Sequence, residues 1–438
     1  MLFAHLRWAN SNLVFDYVCS HTYSLLADNF TKSLLMPESR RSALPVIFSL
    51  VILSPLAIDV YLPSLPEMAR LFSASDSAMQ MTISLFMICM GVGQLFAGPL
   101  SDKYGRRFSA LLGIGLYVMG SILGSIASDL TVMYCARVLQ GFGAAGCAVT
   151  AFAWVRDNFN AHDSGKWISY MGGMIGTIPT LAPMLGGVLA IQWGWEANFI
   201  FMAVLSSIIF LAAFKLMNKG RPAPVEHHEE PSSLYQQAKE ILTHRQFLIY
   251  SLTGMLTMGG ILAYATNAPF VAMNMAGMDE FGFAMAFGSL GILQFATSFY
   301  APRLVDRIGR RRTIGVGAFM AVLGAMAILS VSSDSPLWFF PASAIGAVGF
   351  NLIFGTASGL TLEHFKHCAG LAAAIDGFAR MTGGGLIASA LKLSGGNVFE
   401  CVALAYALML IPFVLNYLEI MRKKNLLNEV RVDQTGKI

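Results

Sequence analysis

Apolar runs of about twenty residues, returning a dozen times, decide what this chain can become. They fall near 44–62, 79–100, 108–127, 131–153, 167–191, 197–217, 247–270, 282–304, 313–331, 337–360, 369–391 and 399–420. A helix rises ~1.5 Å per residue and a bilayer's hydrocarbon core is ~30 Å thick, so each run is long enough to cross it. Only 12% of the 438 residues are charged, half the share of an ordinary soluble domain. Lipid offers the backbone no hydrogen-bond partners, so each run must satisfy its own amides as a helix. The expected fold is an all-α membrane protein of twelve transmembrane helices.

The longest polar connection divides the spans six and six, and contains Pro222, Pro224, His227-His228-Glu229-Glu230 and Pro231. It reads as a linker, 218–246, between bundles at 44–217 and 247–420, with an extension at 1–43 and a tail at 421–438. Residues 1–35 lack the continuous apolar core of a signal peptide. Met36, directly before the first long run, reads as a more natural beginning. Sorting Lys and Arg by loop gives orientation. With the N-terminus inside, 21 basic residues fall on the cytoplasmic side and only Arg70 and Lys392 opposite. Both termini are therefore expected in the cytoplasm. His-His-Glu-Glu reads as a solvated charge run rather than a metal site, and the six cysteines show no CxxC spacing. No nucleophile elbow, phosphate loop or His-rich metal set appears in the spans, which argues against an enzyme. The net charge is only +4, and no nucleic-acid partner is expected.

One charged loop occurs twice. Gly98-Pro-Leu-Ser-Asp-Lys-Tyr-Gly-Arg-Arg107 is echoed by Pro302-Arg-Leu-Val-Asp-Arg-Ile-Gly-Arg-Arg-Arg312. Asp102, Gly105, Arg106 and Arg107 thus return as Asp306, Gly309, Arg310 and Arg311, 204 positions later. Such an echo indicates two structurally similar halves. Twelve spans, a central linker and this loop after the second span of each half resemble the major facilitator superfamily over residues 40–424. The second copy departs at Pro302, which stands where the first has Gly98. The resemblance implies two six-helix bundles around a central cavity that opens alternately to each side. It implies that Gly98, Asp102, Gly105, Arg106, Arg107, Asp306, Gly309 and Arg310 form a cytoplasmic gate. The bland alternative is a basic topology anchor, which explains the arginines but not the acid and the glycines.

Asp59 lies late in the first span, in Leu56-Ala-Ile-Asp-Val-Tyr-Leu-Pro-Ser-Leu-Pro66. An ionisable group at such a position is expensive and is a functional candidate by default. Arg137 enters the fourth span from the same side about six residues deep, ~9 Å, so the two fall at similar depth. Contact between them, or a shared watery cavity, is open on the sequence, as is a static ion pair that only orients helices. Arg137-Val-Leu-Gln-Gly-Phe-Gly-Ala-Ala-Gly146 is similar to the superfamily's fourth-span arginine motif. The fifth span, Gly172–Gly187 with Pro179, Pro183, Gly186 and Gly187, is similar to the antiporter motif of drug/proton exchangers. Ala182 stands where that motif has glycine, and a kinked packing helix is the plainer alternative.

Together these stretches resemble the Bcr/CflA-type drug-resistance branch. The resemblance implies export of small amphipathic drugs from a bacterial inner membrane, with protons as the coupling ion and no other cofactor. It makes Asp59 and Arg137 the proton-coupling residues. Export of an endogenous metabolite, such as a sugar or siderophore-like compound, is the alternative. A monomer is expected. In the second half, Asp376 and Arg380 are four apart on one helix face and can pair. The pair reads either as a second coupling or substrate-contact site or as a self-neutralising device that eases insertion. Tyr61, Gln140, Asn267 and Gln294 are further candidates to line the cavity, with interhelical packing as the alternative for the amides.

Overall fold

The computed structural model describes residues 38–217, 234–332, 334–365, 368–393, 396–418 and 421. Most of the N-terminal extension, the His-His-Glu-Glu stretch of the linker and nearly all of the tail lie outside the described residues. The membrane helices are α1 Glu38–Asp59, α2 Asp76–Tyr104, α3 Arg106–Ser125, α4 Leu130–Asn158, α5 Ala161–Trp193 and α6 Glu196–Leu216 in the first half. The second half has α7 Arg245–Phe270, α8 Glu280–Ile308, α9 Arg310–Leu329, α10 Phe339–Leu362, α11 Ala369–Leu393 and α12 from Val398, which spans to Leu418 after a break past Ala407.

Among the described residues, eleven helices are long and apolar enough to cross a bilayer by themselves. The twelfth, α11, is 25 residues long but carries Asp376, Arg380 and Lys392. Its packing between α2 and α7 explains the tolerance. A helix shielded by protein need not be uniformly apolar. Side chains such as Ile200, Val204, Ile208 and Leu211 of α6 remain exposed and form a lipid-facing surface.

Helix starts follow capping chemistry. Ser75, Asp129, Asn160 and Asp279 each accept a backbone amide at the N-termini of α2, α4, α5 and α8. The amides of Val132 and Thr131 hold the Asp129 carboxyl below the usual carboxylate range. At the repeated loops a single residue separates two antiparallel helices. Gly105, at φ 90°, joins α2 to α3, and Gly309, at φ 84°, joins α8 to α9. A side chain is disfavoured in that region, so the motif's second glycine is a backbone requirement.

The first span ends earlier than its apolar run. α1 stops at Asp59 and the chain continues through a 3-10 turn, Leu62–Ser64, into a short helix, Leu65–Leu71. Pro63 has no N–H for the Asp59 carbonyl four residues back, and Pro66 none for Leu62.

Within each half, α3 packs on α4 and α6, and α9 on α10 and α12. The halves meet along two related seams, α2 against α11 and α5 against α8. From α2, Gln80 donates to Asn267 at 3.1 Å, and its Ile88 carbonyl accepts from Thr382 at 3.2 Å. Ser389 donates to the Met81 sulfur at 3.4 Å. These links lie between the Asp76 end of α2 and its middle. Toward the arginine-rich end, a Cβ added at Gly98, Gly172, Gly173, Gly176 or Gly370 would meet nothing within 4 Å. The bundles thus close together at the Asp59 end.

Candidate functional site

The break in α1 creates the first half of the site. With the helix ending at Asp59, the Ala57 carbonyl loses its intrahelical donor, and Arg137 of α4 supplies one at 2.6 Å. A cation at a helix C-terminus is also favoured by the dipole. Arg137 is fully buried. Its second nitrogen donates to Gln140 at 2.5 Å, and Gln140 donates onward to Ser121 at 2.8 Å. The guanidinium lies 4.5 Å from the Tyr61 ring centroid and 4.9 Å from that of Phe86. Tyr61 shares a 2.8 Å hydrogen bond with Thr82. The positive charge is thus spread over a carbonyl, an amide and two ring faces.

Asp59 sits beside this cluster yet outside it. It is 6% exposed, and among the described residues it forms no hydrogen bond or ion pair with Arg137. The pair left open on depth alone is therefore not made in this conformation. Arg137 is held by the end of the same helix, which is why the depths agreed. Tyr61 and Gln140, expected at the cavity, have no exposed surface here and spend their polar atoms inside the first bundle.

α5 shows what its small residues do. One face meets α1, where a Cβ on Gly186 would stand 1.6 Å from the Val60 carbonyl oxygen. The other meets α8, with Gly187 against the Glu280 carbonyl and Thr180 against Gly291. The same helix therefore touches both halves. Gly186→Ala should lower stability by about 1–3 kcal/mol, because backbone, rather than a movable side chain, blocks the methyl. Gly176→Ala, with open space around it, should be near neutral. Thermal unfolding of the two variants in detergent checks this, and equal melting would refute the packing argument.

In the second half Arg380 Nε donates to Asp376 at 2.7 Å, with both residues buried. Arg380 also reaches the Phe354 carbonyl at 3.3 Å and that ring at 5.3 Å. Its Nη2, which carries two N–H groups, is shielded without a partner among the described residues. Asn267 is consumed by Gln80, and the Gln294 carbonyl accepts from Asn351 of α10. Asn267 serves packing here, whereas the Gln294 contact involves only its backbone carbonyl.

The repeated loops lie at the far end. Arg106 donates to Asp102 at 2.5 Å, to Asp157 of α4 at 2.6 Å and to Ser101 at 2.9 Å, tying three helix ends together. Arg107 donates to the Phe214 carbonyl and lies over its ring. In the second copy Arg310 meets Glu363 at 3.7 Å, while Asp306 is exposed. Every one of these pairs stays within one bundle. Asp157 and Glu363 escaped the sequence reading, although their spacing, 206 positions, nearly repeats that of the loops they serve.

Residues 47–388 match the family model described as Major Facilitator Superfamily. The chain belongs to this superfamily. As a superfamily member it is a multi-pass transporter of small molecules rather than an enzyme. It is 31% identical to the multidrug resistance protein MdtL of Citrobacter koseri over 77% of this chain and 85% of that one. Against the protein of the same name from Escherichia fergusonii it is 29% identical, over 84% and 94%. Among solved structures, a D-xylose-proton symporter shares the fold with a TM-score of 0.70, 16% identity and coverage of 85% and 96%. The partially occluded inward-open xylose transporter XylE from Escherichia coli gives 0.66, also at 16% identity, over 87% and 98%. At such identity these two structures speak to fold alone, and they agree with two six-helix bundles.

Proposed function

We propose that this transporter exports drugs or other small amphipathic molecules across the bacterial inner membrane in exchange for protons. Asp59 is the protonation site in this reading, and Arg137 sets its surroundings. The supporting observation is a buried carboxyl at the closed end of the bundle interface, next to a cation already committed elsewhere. A proton can then load or leave Asp59 without an ion pair having to break. The loop bias of Lys and Arg supports placing the arginine-rich end and both termini in the cytoplasm. The described conformation then faces inward, with the outer side shut by the α2–α11 and α5–α8 seams. The relatives' shared name supports drugs as the cargo class.

The repeated loops act as a cytoplasmic latch in this reading. With the bundles apart at that end, Arg106 and Arg310 hold acids of their own bundle, ready to be re-partnered on closure. A proton moving inward yields about 2.3 kcal/mol per 100 mV, so one proton per neutral substrate sustains a gradient of roughly 50-fold.

The test is a drug panel on an efflux-deficient host expressing the protein, with and without a protonophore. Raised resistance and lowered accumulation of amphipathic compounds, both lost with the protonophore, are expected. No change for any compound would refute drug export, and protonophore-insensitive efflux would refute proton coupling.

A further inference from the structure

The two arginine-rich loops are not used alike. In the first half, Arg106 is bound by two acids and a serine, and Arg107 by a carbonyl and a ring. In the second half, Arg310, Arg311 and Arg312 line one cavity of about 520 Å³ with a single acid, Glu363, and His364. That acid is 3.7 Å from Arg310 and, among the described residues, pairs with no further arginine. Arg311 Nη1 has no hydrogen-bond partner among the described residues. The cavity also holds the start of α9, whose cap is Gly309 and which has no side-chain oxygen on its first amides. A helix N-terminus adds positive potential to that of the guanidinium groups. The site therefore has donors and charge for an anion that the described residues do not supply.

A second cavity of about 410 Å³ runs along the same three helices, α8, α9 and α10. Its lining includes Leu304, Val316, Met320 and Leu352. Leu304 lies one turn from Ile308, and Val316 one turn from Arg312, each toward the membrane. A basic cavity at the helix ends is thus followed inward by an apolar one. An inorganic anion would need only the first. A molecule with a charged head and a hydrocarbon tail needs both, and helix-end basic pockets suit anionic lipid headgroups.

We propose that this pair of cavities binds an anionic phospholipid, its phosphodiester held by Arg311, Arg312 and the α9 amides, and an acyl chain laid along α8 and α9. The inference needs only the membrane-spanning fold and is independent of cargo and of proton coupling. Bound lipid would brace the second half where the first braces itself with Asp102 and Asp157.

The test is thermal unfolding of the full-length protein in detergent, titrated with dioctanoyl phosphatidylglycerol, dioctanoyl phosphatidylcholine or inorganic phosphate. A ligand that binds only the folded protein raises the melting temperature in proportion to its affinity. Phosphatidylglycerol is expected to stabilise at lower concentration than either of the others. Combined Arg311→Gln and Arg312→Gln should weaken it by about tenfold or more. Glu363→Gln should tighten it by about two- to fivefold, a gain that misfolding cannot imitate. Lys166→Gln, a basic surface residue of the other bundle, should leave it unchanged. Equal stabilisation by phosphatidylcholine, or an equal loss in Lys166→Gln, would overturn a specific site. Stabilisation by phosphate as tight as by phosphatidylglycerol would overturn the lipid assignment.

Discussion

Asp59→Asn is expected to abolish uphill export while leaving the protein folded. Asparagine keeps the shape of the side chain and removes only the proton that can come and go. Among the described residues Asp59 makes no ion pair or hydrogen bond, so the substitution breaks no contact. Removal of a buried, unpaired carboxyl is not expected to destabilise the fold. Loss of transport could then not be blamed on misfolding. In everted vesicles with an imposed proton-motive force of about 100 mV, substrate accumulation should fall from the order of 50-fold to its uncoupled baseline. Exchange of labelled for unlabelled substrate, which needs no net proton movement, should persist. Undiminished gradient-driven accumulation would remove Asp59 from the coupling step. Arg137 is a poor place for the same experiment. It caps the broken end of α1 through Ala57, and its loss would unsettle the first bundle for reasons unrelated to protons.

The second large effect belongs to Asp376 and Arg380. Their 2.7 Å contact is buried on both sides. Removing one partner leaves the other uncompensated in a medium that solvates it poorly, at a cost of about 3–5 kcal/mol. Asp376→Asn or Arg380→Gln alone should therefore lower the melting temperature sharply. The double variant has no orphan charge and should recover most of the loss, so the cycle shows strong coupling. Thermal unfolding of the four proteins reads this directly. Additive losses in the double variant would show that the two residues act separately. Transport by the recovered double variant then distinguishes a structural pair from a substrate contact. Restored stability without transport would point to the contact, and restoration of both to an insertion device.

The sequence by itself determined the element list. A bilayer demands about twenty apolar residues per crossing, so apolar runs place the helices, with α11 the weakest of them because its three charges are tolerated only by burial between α2 and α7. The repeated loop also declared its own geometry, because Gly105 and Gly309 occupy one-residue turns at φ 90° and 84° that other residues enter with strain. Proline positions were legible in the same way, although the consequence of Pro63 for the end of α1 was not drawn from the apolar run.

Partnership was decided by the tertiary structure. Arg137 and Ala57 are 80 positions apart, and Arg106 and Asp157 are 51 apart. Hydropathy fixes the depth of such residues but says nothing about the rotation of one helix against the next. Asp59 and Arg137 were therefore matched in depth, while only packing could show that the guanidinium turns to the helix end and away from the carboxyl. The same freedom lets the two Gly-Arg-Arg loops, nearly identical as text, meet two acids in one half and a basic cavity with a single acid in the other.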